Sequence, residues 1–426
     1  MPLSTRPAPS LSRRSFLAAL GATTLLGAAG CATTGAPKGA TTIRFFNTKP
    51  ESVSYIREVV ATFNASQSDV FVIHDMASDL QASFLRNTPP DIGLLNFNYE
   101  TVPYIKSGAL SDLSDVPEVQ RLRPDILALA EQYASYPGRL SVIPWSAAAE
   151  GVIYNMDLFE QHGVQVPTSW DELIEVCETL KAAGVTPFYG TFKDGWTVQQ
   201  GLYDYAIGGS IDVGGFFAQL KAQGADIGPD SPVSFQKDFT GPMTQGLELL
   251  KYFNGDAAGQ GYGDGNTAFA KGEGAMYLQG PWALGDIAKV SPDLRVGTFP
   301  LPMGTAEDRR VRTNLDLGLW IPEASRNKEA ARVFLSYLMQ QDVIDAFNAK
   351  FGNFGTTTDA APTTDPRIVG AYDFYKEGKF YFGPSVMVPR TIPMDGYSQS
   401  LVLGADPKTT FATIDADYAR IAFRTS

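Results

Sequence analysis

Polar side chains follow three predicted strands at the points where those strands end. Asn47 and Lys49 come after the first strand, Asp79 follows the second, and Asn96 and Asn98 follow the third. Ligands of parallel sheets bind beyond the carboxyl ends of the strands, so these amides and charges could hydrogen-bond a polar ligand. Asn and Asp also favour loops, because their side chains bond to their own backbone. A turn-forming role for each residue therefore stays open beside the ligand-binding role.

The sequence lacks the motifs that mark covalent or metal chemistry. It contains no Gly-x-Ser-x-Gly, His-Glu-x-x-His or Walker glycine loop, and His74 and His162 have no further ligands at metal-binding spacing. Ser325 and Lys328 fit a Ser-x-x-Lys pattern without its partner motifs, which indicates a helix start. Residues 259–265 alternate glycines without dinucleotide-binding spacing, which indicates a loop. We therefore expect no cofactor and no metal, whereas paired carboxylates for glycoside hydrolysis stay open because their separation is a three-dimensional property.

The N-terminus has the pattern of a bacterial export signal. Residues 12–17 (SRRSFL) carry a twin-arginine motif, and the apolar run that follows is too short for a membrane-spanning helix. Cys31 resembles the lipobox cysteine that receives diacylglycerol, although Ala28 stands where leucine is usual. We expect residues 1–30 to be the signal and residues 31–40 a flexible tether. The pattern predicts an exported protein, lipid-anchored to the outer face of the cytoplasmic membrane or periplasmic.

Composition narrows the class of protein further. The 426 residues are 44% hydrophobic and 12% aromatic, which predicts a packed globular chain. The net charge is −12, and the first 30 residues hold three of the basic residues and none of the acidic ones. That balance argues against nucleic acid as a partner and against a basic membrane-binding patch. A single core stops growing near roughly 250–300 residues, so the length predicts two lobes.

The elements that must position the polar residues alternate between strands and helices. Short apolar strands are predicted over residues 42–46, 70–73 and 92–95, with helical patterns between them. This rhythm predicts an α/β fold with a mostly parallel sheet and helices on its faces. A second unit of the same kind follows residues 142–155, and the proline-rich residues 299–302 (FPLP) suggest another crossing between lobes.

Five segments carry, through their order and spacing, a resemblance to a known family. They are residues 154–159 (YNMDLF), 169–173 (SWDEL), 269–272 (FAKG), 280–283 (GPWA) and 327–331 (NKEAA). Together they closely resemble the family 1 extracellular solute-binding proteins of ABC importers. The Gly-Pro-Trp-Ala segment is similar to that of maltose-binding proteins.

The resemblance implies a two-lobe, periplasmic-binding-protein-like fold in which hinge crossings join the lobes. We expect residues 41–146 with 303–356 to form the first lobe, and residues 147–302 with 357–426 to form the second. It also implies a sugar or small polyol in the cleft between the lobes. Closure of the lobes would trap the ligand and present it to a membrane permease.

A sugar site needs aromatic faces for the apolar C–H surface and polar groups for the hydroxyls, because buried polar groups left unpaired are costly. Trp282 follows Gly-Pro at a helix start, Trp145 lies on the first crossing, and Trp196 opens a further helix. These three are expected to stack on the ligand. Trp170 belongs to a helix capping box and Trp320 to an apolar strand, so both are expected to be structural.

The polar residues beyond strand ends would complete such a site. Two further polar residues are expected in the site: Asp316, which comes just before an apolar strand, and Arg390, which lies between two prolines. The expected ligand-binding residues are Trp282, Trp145, Trp196, Asn47, Lys49, Asn96, Asn98, Asp316, Arg390 and Asp79.

We interpret the chain as the substrate-binding component of a carbohydrate ABC importer, a monomer with no catalysis of its own. Two alternatives stay open. One is an exported glycoside hydrolase or cofactor enzyme, because twin-arginine export often carries cofactor enzymes. The other is a binder of a different solute, such as a polyamine or an oligopeptide. A polyamine site needs convergent carboxylates, whereas the tryptophans suit a sugar better.

Overall fold

The computed structural model describes residues 35–97, 101–228 and 230–425 of the chain. The predicted signal, Cys31 and Asn98 lie outside the described residues. Within the described part, no helix has both the length and the apolar character needed to cross a membrane.

The described residues contain ten strands. They are β1 (Thr41–Phe46), β2 (Val70–Asp75), β3 (Ile92–Leu95), β4 (Ile143–Asn155), β5 (Phe188–Tyr189), β6 (Met276–Gln279), β7 (Val296–Phe299), β8 (Val311–Trp320), β9 (Phe354–Gly355) and β10 (Phe380–Tyr381).

Eighteen α-helices accompany these strands in the same part of the chain. They are α1 (Val53–Ser66), α2 (Leu80–Leu85), α3 (Val102–Lys106), α4 (Pro124–Tyr133), α5 (Met156–Gln161), α6 (Trp170–Ala182), α7 (Gly195–Val198), α8 (Asp204–Gly208), α9 (Val213–Gln223), α10 (Phe235–Leu247), α11 (Tyr262–Ala270), α12 (Trp282–Val290), α13 (Lys328–Leu338), α14 (Gln341–Phe351), α15 (Val369–Lys376), α16 (Pro384–Met387), α17 (Met394–Val402) and α18 (Pro407–Thr425).

The strands are hydrogen-bonded in the order β2–β1–β3–β8–β4–β6–β5, with β10 beside β8 and with β7 and β9 beside β4. β1 pairs in parallel with β2 and β3, and β5 pairs in parallel with β6. β8 pairs antiparallel to β3 and β4, and β6 pairs antiparallel to β4. We name the body built on β1–β3 the first lobe and the body built on β5–β7 the second lobe.

Strand β4 takes part in the sheets of both lobes. Its residues 143–150 pair with β8, whereas residues 151–155 pair with β6 and β7. The pairing with β8 shifts register on either side of Ser146. Such bulges bend a strand and increase its twist. The crossing between the lobes is therefore a continuous strand with an irregular stretch on the first-lobe side.

Buried apolar residues fill each lobe. In the first lobe, α1, α13 and α14 pack on β1–β3, and Phe45 and Phe63 each contact the ring of Phe334. In the second lobe, α9 and α10 contribute rings such as Phe216 and Phe239, whose centroids lie 4.7 Å apart. A third cluster runs along β4 and includes residues of both lobes. Shared apolar packing along β4 therefore joins the two bodies.

The predicted alternation of strands and helices in the first lobe is confirmed, since β1, α1, β2, α2 and β3 follow one another. The antiparallel pairs that β8 and β4 make were not part of the prediction. The loop expected at residues 259–265 is wrong, because α11 begins at Tyr262. There the carboxylate of Asp264 accepts the backbone N–H of Gly261 at 3.0 Å and covers a donor at the helix start. The lobe boundaries remain a proposal.

Candidate functional site

Two aromatic rings of the second lobe lie together where α7 and α11 begin. The ring centroids of Trp196 and Tyr262 are 5.1 Å apart, and both side chains are partly exposed. Asp194 links the two helix starts. It precedes Trp196 by two residues, and its carboxylate accepts the backbone N–H of Tyr262 at 2.7 Å. The two helix starts thus present a joint aromatic surface.

Trp282 adds a third aromatic ring at the start of α12, which packs against α11. Its indole N–H donates to the side-chain oxygen of Gln279 at 3.2 Å. The ring folds over Gly280, where an added Cβ would lie 2.2 Å from a ring carbon. Gly280 is therefore required for this orientation, which explains the Gly-Pro-Trp order of the motif.

A charged network follows the carboxyl end of β1 on the first lobe. The ammonium group of Lys49 contacts a carboxylate oxygen of Asp316 and lies 3.5 Å from that of Glu51. The second oxygen of Asp316 accepts from the amide of Asn353 at 2.7 Å, and the same amide donates to the hydroxyl of Ser146 at 3.0 Å. The structure therefore brings the predicted residues Lys49 and Asp316 together and links them to the bulge in β4.

The strand pairing directs the two surfaces toward each other. β3 ends at Leu95, opposite Gly318 of β8, whereas β6 runs the other way and ends at Gln279, opposite Gly151 of β4. The pKa of Tyr262 is raised, mainly by burial, and the carboxylates of Asp286 and Glu51 raise it further. Glu51 belongs to the first lobe, whereas Tyr262 and Asp286 belong to the second. Asp286 lies four residues after Trp282 on α12, so the two side chains share a helix face. Lys49 follows β1, which runs parallel to β3, and Trp282 follows β6, so we expect the Lys49 network and the aromatic surface to border the space between the lobes.

The structure contradicts the prediction for Trp145. Its indole is 0% exposed, packs on Phe347 with ring centroids 4.7 Å apart, and donates its N–H to the carbonyl of Leu338 at 2.7 Å. The sequence placed Trp145 on the crossing correctly, but its side chain points into the first-lobe core. The ring has no face open to a ligand.

Asn47 is also closed to solvent, which contradicts its predicted ligand contact. Its amide donates to the carbonyl of Leu94 at 2.9 Å and so joins the ends of β1 and β3. His74 lies beside it, with Nε2 3.1 Å from the Asn47 carbonyl. Burial lowers the pKa of His74, which favours its neutral form. Both residues act in the sheet rather than at its surface.

Asp79, Asn96 and Arg390 are at least partly exposed and stay predictions. Asp79 caps α2, because its side chain accepts the backbone N–H of Ala82 at 2.9 Å. This local hydrogen bond is the alternative to ligand binding that the sequence left open for Asp79. Asn96 is partly exposed after β3, and its carbonyl accepts from the hydroxyl of Thr101 at 2.8 Å. Arg390 is exposed between α16 and α17.

Sequence reasoning missed three residues of this region. Tyr262 was overlooked because the glycines around it suggested a loop, although the Asp264 cap was a usable signal. Glu51 and Asn353 gave no local signal. Asn353 reaches Asp316 only because β9 pairs with β4 at Ser146, a contact between residues distant in sequence.

One pair of carboxylates is close together but closed to solvent. Glu150 and Asp204 both contact the guanidinium group of Arg312, and all three residues are at most 2% exposed. A substrate in the space between the lobes cannot reach them. This pair therefore does not offer the exposed carboxylates that glycoside hydrolysis requires.

The family described as bacterial extracellular solute-binding protein matches residues 50–343. The chain belongs to this family. Among curated relatives of this solute-binding protein, the multiple sugar-binding protein of Streptococcus mutans is 25% identical over 308 residues, which are 70% of each chain.

Among solved structures, the apo form of RafE from Streptococcus pneumoniae superimposes with a TM-score of 0.79 at 21% identity, covering 91% of this chain and 99% of RafE. RafE in complex with raffinose gives 0.73 at 21% identity, covering 90% of this chain and 100% of RafE. These similarities confirm the predicted two-lobe fold.

Proposed function

We propose that this solute-binding protein captures a carbohydrate between its two lobes and delivers it to an ABC permease, without catalysis of its own. Two features carry the proposal: the aromatic surface of Trp196, Tyr262 and Trp282 at the end of β6, and the polar Lys49–Asp316 pair at the end of β1. The strand pairing directs both strand ends toward the space between the lobes.

Each side of this space suits one part of a sugar. Aromatic rings bury the C–H faces of a pyranose ring, and indole, hydroxyl, amide and charged groups pair with its hydroxyls. The relatives support a carbohydrate, since one is a multiple sugar-binding protein and a structural neighbour binds raffinose.

We also propose that the protein is exported by the twin-arginine route and anchored through a lipid on Cys31. The support is the order of paired arginines, apolar run and cysteine in the first 31 residues. A lipid anchor would hold the binding protein close to its permease. Delivery would then need no diffusion away from the membrane.

A sugar panel tests the proposed function. Isothermal titration calorimetry and tryptophan fluorescence would be measured with mono- and oligosaccharides, including raffinose, and each mixture would be analysed by chromatography after long incubation. We expect saturable binding with the sugar recovered intact. Formation of hydrolysis products would instead indicate an enzyme, and binding of putrescine or an oligopeptide but of no sugar would indicate another solute class.

A further inference from the structure

The charges around the proposed ligand space are compensated within the protein. Lys49 contacts Asp316 and Glu51, and the Lys49 and Asp316 side chains are only 12% and 10% exposed. Both oxygens of Asp316 have partners, since one contacts Lys49 and the other accepts from Asn353. Neither the ammonium group nor the buried carboxylate therefore needs a ligand of opposite charge.

The second lobe shows the same feature. Asp286 lies on α12, one turn after Trp282, and pairs with Lys289 at 2.8 Å. Trp196, Trp282 and Tyr262 are uncharged. An anionic ligand would meet the exposed carboxylates of Glu51 and Asp286, whereas a cationic ligand would find the more buried carboxylate of Asp316 already paired with Lys49. Desolvating a charged ligand without a new partner is costly, so both classes are disfavoured.

From this arrangement we propose that the site selects an uncharged saccharide over acidic and amino sugars, and that Asp316 determines this preference by neutralising Lys49. The inference rests on the proposed function. It assigns Asp316 a positioning role that acts through Lys49 rather than through its own contact with the sugar.

Two single substitutions should change the preference in opposite directions. Asp316→Asn keeps the shape and leaves Lys49 with only the exposed carboxylate of Glu51, 3.5 Å away, so an acidic sugar can compete for its ammonium group. Lys49→Met leaves the Asp316 carboxylate unpaired, so an amino sugar gains a partner. The double substitution Lys49→Met/Asp316→Asn removes both charges and should restore the preference for an uncharged sugar.

The experiment measures Kd by calorimetry for two matched sets of probes: galactose, galacturonate and galactosamine, and glucose, glucuronate and glucosamine. Raffinose is included as a neutral oligosaccharide. Asp157→Asn serves as the control, because Asp157 lies on α5 and the change removes only an exposed ion pair with Arg295, which precedes β7. Melting temperatures show whether each variant folds, and Asp316→Glu provides a variant that keeps the charge.

For wild type we expect the uncharged probe to bind at least about tenfold more tightly than its charged analogues, a difference of about 1.4 kcal/mol. Asp316→Asn should shift the ratio of acidic to neutral affinity by about tenfold or more, while Asp316→Glu and Asp157→Asn keep the wild-type ratio.

Equal affinity of wild type for neutral and acidic sugars would overturn this inference and leave the proposed function intact. So would an Asp316→Asn protein that folds and keeps the wild-type ratio. Absence of binding to every sugar would overturn the proposed function itself, and the inference with it.

Discussion

Glu150 lies opposite Arg312 in the pairing of β4 with β8, one residue before β4 leaves β8 and joins β6 and β7. Arg312 also bonds Asp204 of α8 at 2.9 Å, and Asp204 accepts from the backbone N–H and the hydroxyl of Ser385 at 2.8 Å each. One buried guanidinium group thus ties β4 and β8 to helices α8 and α16. The register shifts around Ser146 leave the first-lobe side of the crossing less regular.

Replacing Arg312 with methionine should destabilise the protein strongly. The change leaves two carboxylates buried without a counter-charge, and breaking such a cluster costs about 3–5 kcal/mol of unfolding free energy. Urea unfolding followed by circular dichroism would measure it. Arg295→Met, which removes an exposed ion pair with Asp157, is the matched control and should cost about 1 kcal/mol or less. Equal losses for the two variants would show that the cluster does not stabilise the crossing.

The Asp204 carboxyl should make stability depend on pH. Burial raises the pKa of Asp204 to about 7, although its hydrogen bonds from Ser385 lower it. In the unfolded chain the carboxyl ionises near its ordinary value of 3.8. Between pH 4 and pH 7 the unfolded state therefore binds fewer protons at Asp204 than the folded state does. The stabilisation of the folded state by protonated Asp204 is full below pH 4 and is lost as the pH rises to about 7.

Asp204→Asn isolates that contribution, because the amide does not titrate. The unfolding free energy of wild type minus that of Asp204→Asn should decrease between pH 4 and pH 7 and be constant above that range. Urea unfolding at half-unit pH intervals would measure the difference. A difference that stays constant from pH 4 to pH 7 would mean that Arg312 keeps Asp204 ionised throughout.

The aromatic residues give a prediction about affinity. Trp282→Ala should weaken sugar binding by about tenfold to two-hundredfold, because it removes an aromatic face of the proposed site. Trp145→Phe should instead lower the melting temperature with little direct effect on Kd, since its indole is buried and bonded to Leu338. Calorimetry and thermal unfolding separate the two effects. Wild-type affinity in folded Trp282→Ala would exclude Trp282 from the site.

The different outcomes for these tryptophans show what the sequence could and could not predict. Trp282 was placed correctly at a helix start because Gly280 and Pro281 fix the local backbone. Trp145 was placed on the right strand, but the bulges beside it decide which face its side chain occupies, and no local pattern encodes them. The contact between Lys49 and Asp316 joins residues 267 positions apart, so it depends on how β1 and β8 are brought together.

The export signal gives a prediction that is independent of the fold. Replacing Arg13 and Arg14 with lysine should leave precursor inside the cell, because the twin-arginine pair is what the route recognises. Cys31→Ser should release protein that otherwise stays with the membrane fraction. Cell fractionation and mass spectrometry of the wild-type N-terminus would measure both. Membrane-bound Cys31→Ser protein, together with wild type that carries no lipid, would contradict the proposed anchor.

Ligand binding should bring the two lobes closer together. Bodies joined by crossing strands move most readily as hinges, and the bulges beside Ser146 are where β4 can bend. A ligand can drive closure only through better contacts in the closed state than in the open one. A sugar that touches Trp282 on one lobe and the Lys49 network on the other would provide that difference.

Small-angle scattering would measure this closure as a decrease in the radius of gyration at saturating sugar. Trp282→Ala at the same sugar concentration is the control, because its weaker binding should leave more molecules open. The Arg312 cluster should stay intact in both states, since Glu150, Asp204 and Ser385 are buried around it next to the stretch where β4 joins β6 and β7. If the radius of gyration of wild type stays unchanged while fluorescence shows that the sugar is bound, the pocket is rigid. The transport role would then lose the support that lobe closure gives it.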